Sequence, residues 1–203
     1  MFSSRSFNSA TSAVRRKTLL AGVTLAGAFM LAGNSWAQAE PKVLIKTSMG
    51  DIVVQLNEAK APKTVANFVQ YVKDKQYDGT VFHRVMDGFM IQGGGMDANM
   101  KEKTTRAPIP LEASNGLKND IGTIAMARTS DPNSATAQFF INVANNDMLN
   151  APKPDGHGYA VFGRVVQGME VVNKIRAVPT GNRGMHQNVP SQPITIVSAT
   201  LVK

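Results

Sequence analysis

Apolar and polar positions alternate with a period of two at the start of the folded region. Val43, Ile45 and Thr47 alternate with Leu44 and Lys46, then Ile52, Val54 and Leu56 alternate with Val53 and Gln55. A period of two places each set on one face of a strand. Ser48-Met49-Gly50-Asp51 supplies the turn of a hairpin between them. The period then changes. Pro62 opens a helix, where its missing N–H is no loss, and Val65, Phe68, Val69 and Val72 recur at i, i+3, i+4 and i+7 as one core-facing stripe. Asp78-Gly79 turns the chain into a strand over Val81–Val85. Residues 93–120 are rich in Gly, Pro, Asn and Lys and read as long loops. Strands are expected over Ile121–Ala127 and Gln138–Val143, with a polar excursion at Ser130–Ala137 between them. A loop over Asn145–Gly158 leads to a strand at Tyr159–Val166. A second helix is expected over Met169–Arg176, with Pro179 beyond its end, and a last strand over Ile194–Val202. Many short strands with two lone helices predict a mainly β fold, a closed antiparallel barrel with helices over its ends.

The first 39 residues follow another pattern. Arg15-Arg16-Lys17 precedes an uncharged run from Thr18 to Gly33, and Ala37-Gln38-Ala39 follows as a small-x-small site. Basic, then apolar, then small is the order of a cleavable secretory signal. The apolar run is shorter than the roughly 20 residues of a bilayer span. Cleavage after Ala39 would leave Glu40 first; cleavage after Ala37 also fits. The Arg15-Arg16 pair leaves the twin-arginine route open beside the ordinary one. The expected division is a signal peptide over 1–39 and one folded domain over 40–203, located in the periplasm with no stable membrane insertion after cleavage. This changes the reading of the charge. The chain carries 22 basic and 14 acidic residues, net +8, but four of the basic ones (Arg5, Arg15, Arg16, Lys17) and no acid lie in the first 39, leaving +4 on the rest. That modest excess gives no expectation of nucleic-acid binding. Cysteine is absent, which excludes disulfide frameworks, zinc–thiolate sites and cysteine nucleophiles.

The common catalytic signatures are missing. No G-x-S-x-G or H-E-x-x-H is present, and His83, His157 and His186 lack metal-ligand spacing, so neither a metal nor another cofactor is expected. Gly93-Gly94-Gly95 is followed by Met96-Asp97 rather than by Lys-Ser/Thr and a helix, so a bulge or tight turn is expected there instead of a phosphate cradle. The segment Val81–Gln92, VFHRVMDGFMIQ, is unusual. It crowds Arg84, Phe89, Met90 and Gln92 into a strand and its bend. In alternating geometry Phe82, Arg84 and Met86 share a face. An arginine so placed must find acceptors or line a groove, unless it snorkels at a barrel edge.

The run Phe82-His83-Arg84-Val85, continued three residues later by Phe89-Met90-Ile91-Gln92-Gly93-Gly94, strongly resembles the signature of the cyclophilins, a family of peptidyl-prolyl cis-trans isomerases. Met126-Ala127-Arg128 followed by Ser134-Ala135-Thr136-Ala137-Gln138-Phe139-Phe140-Ile141-Asn142 resembles a second block of that family, and Tyr159 to Val165 a third. The resemblance extends over nearly all of residues 42–202. It is nearer to the bacterial branch, as at Gly184-Met185-His186-Gln187 and Val189-Pro190. It implies a closed eight-stranded antiparallel β-barrel capped by two α-helices. It also implies that Arg84 is the catalytic arginine and that Gln92 is the family's hydrogen-bonding glutamine, which orients Arg84 or holds the substrate backbone. Phe89, Met90, Phe140 and Leu149 match the proline pocket, and Ala127 and Gln138 match residues that flank the bound peptide. His83 belongs to the signature as a structural residue. Three positions depart from the animal pattern: Met148 precedes Leu149 where those proteins carry Trp, Tyr159 stands for His, and Arg128 for Asn. Met148 and Tyr159 are expected at the substrate. Loss of the Trp removes an indole N–H, so weak cyclosporin binding is expected.

The implied chemistry needs no nucleophile. An X–Pro amide isomerises slowly because its C–N bond is partly double, with a barrier of about 18–20 kcal/mol. The expected partners are proline-containing, unfolded or partly folded exported polypeptides, and a monomer is expected. The alternative is a proline-peptide-binding chaperone or scaffold in the cell envelope that uses the same groove without turnover.

Overall fold

The strands and helices expected from the two periodicities are present in the computed structural model, which describes residues 40–202. The signal segment expected over residues 1–39, with both cleavage points, lies outside the described residues. The elements are β1 Lys42–Thr47, β2 Gly50–Leu56, α1 Pro62–Lys73, β3 Thr80–Met86, β4 Met90–Asp97, β5 Thr123–Met126, β6 Phe139–Asn142, β7 Val161–Gln167, α2 Met169–Arg176, β8 Thr180–Arg183, β9 His186–Pro190 and β10 Ile196–Val202. A single 3-10 turn covers Asp147–Leu149. No helix among the described residues is long and apolar enough to cross a membrane.

Eight strands form one antiparallel sheet in the order β10-β1-β2-β7-β5-β6-β4-β3, while β8 and β9 make a separate hairpin. The sheet is a half-barrel, not the closed barrel expected. Its edge strands β3 and β10 meet only through a Val81–Thr195 bridge and through the Gly79 and Phe82 N–H groups, which donate to the Ile196 and Ile194 carbonyls at 2.9 Å each. The register of β3 against β4 slips twice, and Pro193, with no N–H to donate, sits just ahead of the bridging residues.

The main core lies between the concave face of the sheet and the helices. From α1, Phe68 packs on Tyr77, Phe139 and Phe162 with ring centroids 5.1, 5.6 and 5.1 Å apart, within the range where aromatic pairs attract beyond simple burial. The buried stripe of α1 differs slightly from the expected one. Val69 is half-buried, whereas Thr64, Asn67 and Tyr71 are buried. Each buried polar side chain has a partner: Asn67 Nδ2 donates to the Thr136 carbonyl at 2.7 Å, the Tyr71 hydroxyl accepts from the Arg106 N–H at 2.8 Å, and Glu112 accepts from the Lys63 and Thr64 N–H groups at 3.1 and 2.8 Å and from the Thr64 hydroxyl at 2.7 Å; Glu112 is thus a long-range cap. It serves the orphan N–H groups that Ala61 cannot.

Two local expectations are corrected. Gly93–Asp97 is not loop but the second half of β4. Gly93 and Gly94 are needed because aromatic rings press on the strand there, while Gly95 faces the Gln138 side chain. Gly94 sits at φ +86°, and a Cβ on it would lie 2.8 Å from the Phe139 ring and 2.9 Å from Tyr77. The expected irregularity is present as the register slip opposite these glycines. The β8–β9 hairpin was not foreseen. All four β8 residues are exposed, so Thr180-Gly181-Asn182-Arg183 shows no alternation to read.

Candidate active site

Register builds the site. Residues directly opposite in an antiparallel pair point to the same side of the sheet. Arg84 of β3 faces Gln92 of β4, Gln92 faces Phe140 of β6, Phe140 faces Ala125 of β5, and Ala125 faces Val161 of β7. One row of side chains thus crosses five strands on the face away from the main core. In β6 the alternation is clean: Phe139 and Ile141 enter the main core, while Phe140 joins a second apolar cluster with Met90, Ala125, Leu149 and Val161. In β3 the alternation breaks. Phe82 and Arg84 were expected on one face, but the slip between them sends Phe82 into the main core and leaves Arg84 with Met86 on the outer face.

Above the second cluster lies a cavity of about 170 Å³. Met90, Phe140 and Leu149 form its floor, Phe89 and Tyr159 its walls, and Arg84, Gln92, Ala127 and Arg128 its rim. Phe140 and Tyr159 meet edge to face with centroids 5.8 Å apart. A second hollow of about 320 Å³ adjoins it, shares Gln92, Ala127 and Arg128, and takes Gln138 as a lining residue. The structure therefore gathers Arg84, Phe89, Met90, Gln92, Ala127, Phe140, Leu149 and Tyr159 around one cavity and places Gln138 next door. Met148 is not brought there. It sits on the 3-10 turn with 54% of its surface exposed, outside the hollow.

The polar rim has a direction. Arg84 Nη1 donates to Gln92 Oε1 at 3.5 Å, Gln92 Nε2 to Gln138 Oε1 at 2.9 Å, and Gln138 Nε2 to Glu102 Oε1 at 3.4 Å. A guanidinium only donates and a carboxylate only accepts, so both ends require the same amide orientation. The other contact of Arg84 is weak: Nη2 donates to the Met86 thioether at 3.2 Å, and Arg84 makes no ion pair among the described residues. Its donors are available to a ligand.

Behind the apolar walls is a set of buried asparagines that sequence reasoning missed. Asn146 Nδ2 donates to the Phe89 carbonyl at 2.8 Å and to Asn142 Oδ1 at 2.7 Å; Asn142 Nδ2 donates to Asn119 Oδ1 at 3.2 Å; Asn119 Nδ2 reaches the Leu149 carbonyl at 3.2 Å. These bonds fix the backbone at two cavity residues. The only available signal was the density of Asn among apolar neighbours in Phe139–Asn150. Arg128 is the other surprise. Its side chain is 1% exposed; it donates to Asp155 and to the Gly158 and Thr129 carbonyls, and lies 4.5 Å over the Tyr159 ring.

His83 is buried off the cavity, its Nδ1 without a partner. Burial, helped by the charges of His186 and Arg84, lowers its pKa to about 4 despite an opposing backbone hydrogen bond at Val81, so it is neutral near pH 7. The cavity itself offers a small apolar floor with an unpaired cation at its edge.

Residues 42–201 match the family described as Cyclophilin type peptidyl-prolyl cis-trans isomerase/CLD. The chain is 58% identical over 168 residues to a peptidyl-prolyl cis-trans isomerase of Acinetobacter baylyi, covering 83% of this chain and 89% of the relative. It is 55% identical over 161 residues to peptidyl-prolyl cis-trans isomerase B of Escherichia coli, covering 78% and 98%. Among solved structures, a cyclophilin-type peptidyl-prolyl cis-trans isomerase of Cryptosporidium parvum, crystallised in the presence of the dipeptide Ala-Pro, matches with a TM-score of 0.66 at 27% identity, covering 80% of this chain and 99% of that one.

Proposed function

The chain belongs to the cyclophilin-type peptidyl-prolyl cis-trans isomerases, and on that premise we propose that Arg84 drives rotation of X–Pro bonds whose proline ring sits on Met90, Phe140 and Leu149, in exported polypeptides that have not finished folding. The observation that carries this reading is the guanidinium at the edge of an apolar hollow with no carboxylate to hold it.

The steps follow from amide electronics. The planar X–Pro amide delocalises its nitrogen lone pair into the carbonyl. At the twisted transition state that conjugation is lost, and the nitrogen becomes a hydrogen-bond acceptor. A guanidinium N–H aimed at it interacts more strongly with the twisted form than with either planar isomer, which is the requirement for catalysis. Arginine stays protonated and presents its donors in a fixed fork. The apolar floor grips the ring and removes water from the amide, which strengthens the charge–dipole contact. Gln92 accepts from Arg84 and keeps the guanidinium over the ring. No bond is made or broken, so no nucleophile takes part.

Export rests on the basic, apolar, small order of residues 1–39. Two experiments test the reading. Exchange spectroscopy on an Ala-Pro peptide with catalytic amounts of the protein should show faster cis–trans exchange; an exchange rate equal to that of the peptide alone refutes it. Expression of the full chain in a Gram-negative host should yield a periplasmic product whose first residue is Gln38 or Glu40, and an uncleaved cytoplasmic chain would refute the export.

A further inference from the structure

We propose that Arg128 is a positioning residue of the isomerase site: it locks the loop over residues 150–158, and with it the spacing of the two cavity residues from which that loop springs. The proposal rests on the isomerase reading above. The loop leaves the fold at Leu149 and returns at Tyr159, and both line the cavity. Its neck is closed by one backbone bond, Tyr159 N–H to the Leu149 carbonyl at 2.9 Å, and by Asn119 Nδ2, which donates to the Leu149 and Tyr159 carbonyls at 3.2 and 3.5 Å. The residues from Pro152 to His157 are all exposed, so the loop has no apolar anchor of its own.

Arg128 supplies the anchor from the sheet side. Nε and Nη2 donate to the Gly158 carbonyl at 3.1 and 2.8 Å, Nη2 also to the Asp155 carboxylate at 2.9 and 2.8 Å, and Nη1 to the Thr129 carbonyl at 2.8 Å. The guanidinium carbon lies over the Tyr159 ring, 4.5 Å from its centroid, where a cation and a ring quadrupole attract. One side chain therefore ties the far side of the loop, its return point and the wall that the return point carries. A free cation recruiting acidic substrates would have to be exposed and unpaired; this one is 1% exposed and bound to Asp155. Arginine is required for its geometry. Lysine is a point charge without the planar fork that here divides between a carboxylate and two carbonyls.

The consequence is specific to binding. Leu149 and Tyr159 touch the ring in the planar and twisted states alike, so loosening them removes interaction common to both and raises KM more than it lowers kcat. The test is steady-state kinetics on a proline tetrapeptide with the wild type, R128A, R128K, D155A and R128A/D155A. R128A and R128K should raise KM roughly five- to tenfold with kcat within about twofold of wild type. D155A should give part of the rise, and the double variant no more than R128A alone, because the two side chains act through one contact. In wild type the Arg128 Nε–H resonance should exchange slowly and carry the ring-current shift of Tyr159; D155A should broaden it. If R128A does not fold, R128K and D155A decide. A folded R128K with unchanged KM, or with kcat lowered at constant KM, overturns the inference and leaves the isomerase reading standing. A wild type that does not accelerate exchange overturns the isomerase reading itself.

Discussion

Replacing Arg84 by alanine separates a catalytic role from a structural one, because the resting contacts of this side chain are so slight. Its guanidinium gives one long bond of 3.5 Å to Gln92 and one to the Met86 sulfur at 3.2 Å, and no carboxylate depends on it. Loss of such contacts should lower stability by about 1 kcal/mol or less, a fall in Tm of roughly 2–4 °C for a domain of this size. The effect on rate should be far larger. A hydrogen bond from a charged donor is worth about 1.5–3 kcal/mol, and each 1.36 kcal/mol is a decade, so kcat/KM should fall about 10- to 150-fold. Arg84→Lys keeps the charge but loses the planar fork, and should fall between wild type and alanine. The assay is cis–trans exchange of a proline tetrapeptide followed by NMR or by a coupled isomer-specific protease, beside a thermal melt of each variant. Activity of R84A within about threefold of wild type would refute the transition-state role, since the missing energy would then be below 1 kcal/mol. A Tm drop above about 10 °C would instead make Arg84 a structural residue.

Three further outcomes are expected. In Gly95→Ala the new Cβ overlaps Gln138 at Cγ, with Cδ and Nε2 at 2.7 and 2.8 Å, so the Gln138 side chain must leave its rotamer and the Gln92–Gln138 bond breaks; kcat/KM should drop severalfold with a modest fall in Tm, whereas Gly94→Ala, at φ +86° against the Phe139 ring, should melt much earlier. His83 is kept neutral by burial with a pKa of about 4, while the unfolded chain takes up that proton near pH 6.5. The unfolded state therefore binds more protons between these limits, and stability is full above about pH 6.5 and lost as pH falls toward 4, by about 3 kcal/mol from this group. Urea midpoints across that window should flatten in His83→Phe, and an unchanged slope would contradict the assignment. Cyclosporin should bind weakly, because Met148 offers no N–H donor and sits outside the cavity; nanomolar affinity by calorimetry would overturn this.

The parts of the site that could be read in advance are those written in short motifs. Arg84, Phe89 and Gln92 stand within nine residues of one another, and Phe140 within a second short block, so their resemblance to a family signature placed them before any coordinates did. Met148 shows the limit of that reading. Its match to the family's Trp position beside Leu149 suggested a place at the substrate, yet the 3-10 turn at Asp147–Leu149 points neighbouring side chains in different directions, and only Leu149 faces the hollow. Arg128 shows the converse. Its anchoring role left no mark beside Ala127, because its acceptors, Asp155 and Gly158, lie 27 and 30 positions away.

Local rules were enough for both helices and most strands. A period of two or of 3.6 is set by neighbours a few residues apart, and α2 falls on Met169–Arg176 as its apolar spacing requires. What folding alone could settle depends on distant partners. The row from Arg84 to Val161 exists only because five strands adopt one register. The β3 and β10 edges meet only at the Val81–Thr195 bridge and its flanking hydrogen bonds, a closure that depends on residues more than a hundred positions apart. Glu112 caps a helix 48 residues away, and Asn146 holds a carbonyl 57 residues away. Such contacts leave no periodic trace along the chain, since their energy depends on a separation in space that no window of neighbouring residues records.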